Sequence, residues 1–237
     1  MNPESSPQMS LARTVGWSQL ALMALGILTS VLVARGIDIN LSADVESTAR
    51  NMLDAELRLR AKAYLACLGF ALTTVVNIGL FMLLRRHGQL LAAACLTLSL
   101  TGAMLSLLGA VFAMNVAEIT SAPAYQAITD SAQRLMLAGM QATSDYTSFH
   151  LSLVISCVAQ GGFFFLFYRS DLIPRIISAW GVFASLLVST IIVARDFIPA
   201  LGHSSVTISF MLGNLIALLS LSLYLGIKGV RGDPAPL

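Results

Sequence analysis

The amino-acid sequence predicts an all-α, multi-pass membrane protein with six transmembrane helices and two amphipathic surface helices outside the membrane. Of the 237 residues, 57% are hydrophobic and only 11% are charged, whereas soluble domains carry about 25% charged residues. A soluble domain of this length exposes roughly a quarter of its chain, so it could not hide this much apolar surface from water. Lipid is therefore the predicted solvent. The net charge of +2 is small and its basic residues are scattered, which gives no indication of nucleic-acid binding.

Six apolar runs are each long enough to cross a hydrocarbon core of about 30 Å. The fourth run contains no Asp, Glu, Lys or Arg, and the following turn carries Arg169 and Arg175. Trp180 then lies near the start of the fifth run, where an interfacial ring is expected. The first run lacks a small-x-small cleavage site, so we interpret it as a retained helix. The predicted helices, within one integral membrane domain of residues 1–237, cover about residues 15–34, 63–84, 90–114, 149–167, 176–193 and 206–227.

Two longer polar stretches have the periodicity of amphipathic helices. In residues 42–60, Val45 and Ala49 begin an apolar face, while charges of alternating sign recur every fourth residue. In residues 122–140, Pro123 suits a first helical turn, and apolar side chains follow at helical spacing. We expect both segments to lie at the membrane surface.

The distribution of charge predicts the orientation of the chain. Six crossings place both termini on one side, and Lys and Arg divide seven against seven between the two sides. The short loops decide the predicted orientation, because Lys and Arg in longer translocated segments influence it less. Arg85 and Arg86 form one short basic turn, and Arg169 and Arg175 form another. Both termini are therefore predicted to be cytoplasmic, with the two amphipathic segments outside.

Two stretches resemble a family of bacterial membrane proteins of unknown function, the DUF4386 type. The stretch before the second helix, Asp44 to Arg60, carries Asp44, Thr48, Ala49, Asn51, Glu56 and Arg58. The turn between the fourth and fifth helices carries Arg169-Ser170, Pro174-Arg175 and Gly181. The resemblance covers about residues 15 to 225. It implies six helices in a bacterial inner membrane and implies no particular activity.

Polar side chains in or beside the apolar runs are the candidate ligand-binding residues, because polar groups are costly within a bilayer and often functional. Asn77 and Gln160 lie inside predicted helices, where each either joins two helices through hydrogen bonds or lines a cavity. A second set is expected at the outer ends of the helices, and together with Asp38, which begins the first outer segment, it could form one polar pocket: Asp145, His150, Arg195, Asp196 and His203. Two histidines in separate segments, without an H-E-x-x-H pattern, do not predict a metal, and no cofactor is predicted.

Small and sulfur-containing residues allow two interpretations each. Gly102, Ser106 and Gly109 share one face of the third predicted helix, which would allow another helix to approach closely. Four methionines near the outer half either line an adaptable apolar pocket or fill the core: Met104, Met114, Met136 and Met140. The three cysteines all fall within apolar runs and predict no disulfide framework.

The leading functional hypothesis is non-catalytic binding. The sequence has no glycine-rich phosphate loop and no G-x-S-x-G motif, and no catalytic residue is predicted. The expected ligand is a lipid-like or apolar small molecule, or else a partner membrane subunit or a second copy of the chain. One alternative is an intramembrane enzyme, such as a metal-dependent hydrolase, with an outer-face site around His150. Another is a structural accessory subunit of a membrane complex.

Overall fold

The computed structural model describes residues 7–42 and 44–231. It is 89% helical, and the described residues contain no strand, which confirms the all-α fold class. In chain order the helices are α1 (Pro7–Leu28), α2 (Ile39–Ser42), α3 (Val45–Leu53), α4 (Glu56–Leu84), α5 (Gln89–Ser121), α6 (Pro123–Ile128), α7 (Ser131–Ser170), α8 (Arg175–Arg195) and α9 (Ser204–Ile227).

Six of the described helices are long and apolar enough to cross a membrane: α1 with the π-helical turn Thr29–Val33 that extends it, α4, α5, α7, α8 and α9. This is the number that the sequence predicts. Several helices are longer than expected because the polar residues at their ends continue the helix instead of ending it. The protein is therefore a multi-pass membrane protein.

The predicted surface helix at residues 122–140 is not a separate element. Its first part forms the short α6, and the rest belongs to α7, a single helix of 40 residues. Residues 141–148, between the two predicted helices, are also helical, and hydroxyl groups there bond to carbonyl oxygens one turn earlier. Thr143 Oγ1 donates to Gly139 O at 3.0 Å, and Thr147 Oγ1 donates to Thr143 O at 3.1 Å.

The predicted surface segment at residues 42–60 divides into two helices. Asp44 caps α3 by accepting a hydrogen bond from Glu46 N at 3.3 Å, and α3 ends at Leu53. The next helix begins at Glu56, so Arg58, Arg60 and Lys62 lie on the first turns of α4. These three cations therefore belong to a membrane-spanning helix and not to the preceding segment.

The chain divides into two compact units. The first unit comprises residues up to 21, residues 72–102 and residues from 153 onward, and the second comprises Leu22–Ala71 and Ala103–Ser152. The core of the first unit contains Phe163, Phe164 and Phe167. Trp180 Nε1, on α8, donates to Gly213 O, on α9, at 3.1 Å.

The second unit has a core of smaller side chains. It contains Ile37, Ala49, Met52, Leu59, Val116 and Ala138, all buried. Helix α3 lies against α7 at Gly139, where a Cβ would be in ordinary van der Waals contact with Val45 Cγ1, at 3.5 Å. Small residues permit this kind of close helix contact in lipid, where van der Waals packing holds helices together.

Candidate functional site

A buried cluster of three charges lies in the second unit. Lys62 Nζ lies 2.9 Å from Asp38 Oδ2 and 2.9 Å from Asp145 Oδ2. Helix α4 supplies the lysine, α7 supplies Asp145, and the segment before α2 supplies Asp38. The side chains are 12%, 16% and 10% exposed for Lys62, Asp38 and Asp145 respectively. We call these three residues the ion triad.

Neighbouring groups hold the two carboxylates in place. Asp38 Oδ1 accepts hydrogen bonds from Asn40 N at 2.9 Å and from Asn40 Nδ2 at 3.0 Å. Asp145 lies against α5 where that helix has no side chain, because a Cβ at Gly109 would lie 2.4 Å from Asp145 Oδ1. The glycine therefore provides the space that the carboxylate occupies.

The charges of the ion triad do not cancel when all three groups are ionised. Two carboxylates face one ammonium group, which leaves one negative charge in excess. Removing charges from water costs several kcal/mol per ion, and attraction to a partner repays this only when the geometry is good. The two 2.9 Å contacts satisfy Lys62. Within the described ranges, the ion pairs of the triad include no second cation for the other carboxylate.

Two further cations on the first turns of α4 bind other segments of the second unit. Arg58 donates through Nε and Nη2 to Val33 O at 3.0 and 2.8 Å, and it also donates to Arg35 O. It thereby satisfies carbonyl groups at the end of the first span, which have no partner within that helix. Arg60 forms ion pairs with Glu56 at 3.0 Å and with Glu118 at 2.9 Å.

An apolar groove lies between α3 and α7 and has a volume of about 620 Å³. Its apolar lining includes Val45, Ala49, Leu135, Met136 and Met140. Met136 and Met140 are 60% and 58% exposed. The groove and the ion triad use different faces of α7, because Met136 and Met140 are exposed whereas Ala138, Ala142 and Asp145 are buried. We call this feature the methionine groove.

The sequence matches the model of a known protein family. The model of DUF4386, a domain of unknown function, matches residues 14–229. The chain belongs to the DUF4386 family. This confirms the resemblance that the stretches at Asp44–Arg60 and Tyr168–Gly181 indicate. No functionally curated protein and no solved structure matches the sequence.

The predicted site residues of this DUF4386 protein fall in both units. Asp145 and His150 lie in the second unit, where Asp145 binds Lys62 and the His150 ring lies 5.9 Å from the Tyr146 ring, between centroids. The other five belong to the first unit: Asn77, Gln160, Arg195, Asp196 and His203. Among the described residues, no three His, Cys, Asp or Glu side chains are placed to hold a metal ion.

The two amides inside the spans have different surroundings. Asn77 is buried. Gln160 Oε1 is buried without a hydrogen-bond partner, as are Ser185 Oγ and Asn214 Oδ1. All five predicted residues of the first unit stay candidates for ligand binding, and their role is a prediction.

The sequence of this DUF4386 protein indicates Asp145 and Asp38 as members of one outer polar pocket, but it gives no indication that Lys62 joins them. Lys62 immediately precedes the apolar run that begins at Ala63, and nothing in the local pattern indicates a partner for it. The available signal was the position of Lys62, directly before one apolar run, and of Asp145, shortly before another. An ionisable residue at such a position needs a partner, but the partner comes from 83 residues away in the chain.

Proposed function

We propose that this DUF4386 protein is a non-catalytic binding protein of the membrane, which holds an apolar, lipid-like molecule in the methionine groove. The observation that supports this most strongly is the pair of exposed methionines, Met136 and Met140, on one wall of a 620 Å³ groove. Ligand cavities in proteins are commonly about 300–1,000 Å³ and mostly apolar. Methionine side chains are flexible and polarisable, so they adapt to chains of varied shape.

The polar atoms of the methionine groove favour an apolar ligand over a sugar or a nucleotide. Thr143 Oγ1 donates to Gly139 O at 3.0 Å, and Ser144 Oγ donates to Met140 O at 2.9 Å. Glu46 pairs with Arg50 at 2.6 Å. These donors and this carboxylate are already engaged, so the groove offers a ligand little hydrogen bonding and mainly apolar contact.

The proposed location is a bacterial inner membrane with both termini in the cytoplasm. The basic turns at Arg85–Arg86 and Arg169–Arg175 support this orientation. In a variant with the native cysteines replaced, an impermeant thiol reagent added to intact cells should label Gln126→Cys and leave Gln89→Cys unlabelled. The reverse pattern would show that the orientation is wrong.

Native mass spectrometry of the protein extracted in mild detergent tests the proposed function. The wild type should carry an adduct with the mass of a lipid or another apolar small molecule. The double variant Met136→Ser/Met140→Ser should lose most of the adduct, because the groove loses its flexible apolar wall. Met104→Ser is the matched control, since Met104 is 62% exposed but lies outside the groove.

Three outcomes would contradict the proposal. Equal adducts on the wild type, the double variant and the control would show that the lipid does not occupy the methionine groove. An adduct with the mass of a protein would favour a partner subunit or a second copy as the ligand. Stoichiometric zinc, lost in His150→Ala, would favour the hydrolase.

A further inference from the structure

We propose that the ion triad is an exchangeable proton site, which binds one proton per chain when the surrounding solution becomes acidic. The proton comes from water and adds to a carboxylate oxygen of Asp145, which lies against Gly109 and contacts Lys62. The net charge of the triad then changes from one negative charge to zero. This site is separate from the methionine groove and does not depend on what the groove binds.

The geometry of the triad supports the uptake of one proton, because two carboxylates share one cation. Both carboxylates contact the same nitrogen at 2.9 Å, so the two contacting oxygens are no farther apart than twice that distance. Two carboxylates this close repel each other, and one negative charge is easily neutralised by a proton. A purely structural ion pair needs one acid and one base, whereas this cluster carries a second acid.

Among the described residues, the other cations on the first turns of α4 are engaged elsewhere. From α4, Lys62 faces both acids, while Arg58 is directed to backbone carbonyls and Arg60 to Glu56 and Glu118. From α7, the titratable side chains that follow Asp145 are Tyr146 and His150, whose ring centroids lie 5.9 Å apart. From α5, the neighbour of Asp145 is Gly109, which carries no charge. From the segment before α2, the neighbour of Asp38 is the neutral Asn40.

The triad is enclosed but not sealed. Its three side chains keep between 10% and 16% of their surface exposed. Burial makes an uncompensated charge costly, and one bound proton removes that charge. Lys62 stays charged in both states, so it can hold the neutral carboxyl group and the remaining carboxylate in the same place.

Infrared difference spectroscopy of the full chain in lipid vesicles measures this proton directly. A protonated carboxyl group has a C=O stretching band that a carboxylate lacks. Carbon-13 labelling of the aspartate carboxyl groups separates this band from the ester carbonyls of the lipid. Between about pH 8 and about pH 5, the wild type should gain an aspartic acid band. If it gains none, the proposal is wrong.

Three variants assign the band. Asp38→Asn and Asp145→Asn each leave one acid for one lysine, so each should lose the band. Lys62→Met removes the cation and leaves both acids, so the band should appear at a higher pH than in the wild type. Asp54→Asn, which alters an exposed acid of the same unit, should keep the wild-type band.

The opposite patterns would overturn the proposal. A band that persists in both Asp38→Asn and Asp145→Asn belongs to another acid. An unchanged or lower pH of appearance in Lys62→Met would show that Lys62 does not control the site. Should an asparagine variant fail to fold, Asp145→Glu keeps a carboxylate beside Lys62 but removes the labelled aspartate, so the aspartate band should disappear. A band that persists in Asp145→Glu would contradict the assignment to Asp145.

Discussion

At the scale of single residues, we expect Lys62 to contribute more to the stability of the second unit than an exposed charge does. Its ammonium group contacts two buried carboxylates, and it joins α4 to α7 and to the segment before α2. Arg50 and Glu46 also form an ion pair, at 2.6 Å, but their side chains are 64% and 69% exposed. Solvent screens such an exposed pair, so the Arg50–Glu46 pair contributes much less to stability than the contacts of Lys62.

Lys62→Met should therefore destabilise the protein by about 3–5 kcal/mol at neutral pH, because it leaves two buried acids without a cation. The matched variant Arg50→Met should cost only about 0.3–0.5 kcal/mol. Chemical unfolding in detergent measures both changes. Similar losses of stability in the two variants would show that the ion triad does not carry the stability assigned to it.

Gly109→Ala should also destabilise the second unit, since its Cβ would lie 2.4 Å from Asp145 Oδ1. The carboxylate would have to move away from Lys62, and overpacking of this kind costs about 1–3 kcal/mol. Gly26→Ala is the control, because Gly26 also lies within a helix and has nothing within 4 Å of its Cβ position. There we expect a gain of about 0.5–1 kcal/mol. Thermal unfolding measures both changes. A higher melting temperature for Gly109→Ala than for Gly26→Ala would show that the close contact is absent.

Residue patterns alone predicted only part of this site. Asp145 was selected because it is an acid beside an apolar run, and His150 was its expected neighbour because it is close in sequence. Lys62 became the observed partner through tertiary packing of α4 against α7, which has no local signature. Gly109 was predicted correctly to be a position of close approach, but the approaching group is a carboxylate of α7.

At the scale of elements, the turn between α7 and α8 depends on a contact between Asp171 and Arg175. Asp171 has a φ of 54°, a left-handed conformation that Asp tolerates better than most residues. Arg175 donates from Nε to Asp171 Oδ1 at 2.6 Å and from Nη2 to Oδ2 at 2.8 Å. These hydrogen bonds lower the pKa of Asp171 below its ordinary value.

Arg175→Gln should raise the pKa of Asp171 back toward that ordinary value, and nuclear magnetic resonance of the labelled carboxyl carbon measures it. Because the folded-state pKa is lowered, the contact stabilises the turn above the unfolded-state pKa of about 3.9. That stabilisation disappears as the pH falls through the folded-state pKa. The effect on global stability should be small, since both groups are exposed. An Asp171 pKa that is the same in the wild type and in Arg175→Gln would contradict the contact.

The elements themselves were predictable to different degrees. Apolar runs identified the spans, because few charges can enter a bilayer. The ends were less predictable, since polar residues such as Thr143 and Thr147 satisfy their hydroxyl groups within α7 and extend it. The division between α3 and α4 follows from the end of α3 at Leu53, whereas the helical periodicity of residues 42–60 suggested one continuous segment.

At the scale of the whole molecule, composition predicted a membrane protein, and the lengths of the apolar runs predicted six helical spans. Membership of the DUF4386 family, over residues 14–229, agrees with that class. The methionine groove was less accessible to sequence reasoning. Met136 and Met140 were considered as pocket residues, but only the contact of α3 with α7 at Gly139 shows where a groove forms.

Photocrosslinking with a diazirine-bearing fatty acid shows directly whether the methionine groove binds an apolar ligand. The full chain in lipid vesicles is irradiated, and the labelled peptides are mapped by mass spectrometry. Leu32 and Ile176, at 70% and 79% exposed, serve as internal controls because both are more exposed than Met136 and Met140. Bulk lipid should reach these controls at least as readily as it reaches the groove.

A specific site predicts that labelling concentrates on the peptides that contain Val45, Ala49, Met136 and Met140, and that excess unlabelled fatty acid removes it. Labelling of the Leu32 and Ile176 peptides should persist in the presence of the competitor. The opposite result is equal labelling of the groove peptides and the two control peptides, with no effect of the competitor. It would show that the groove contacts only bulk lipid, and it would contradict the proposed function.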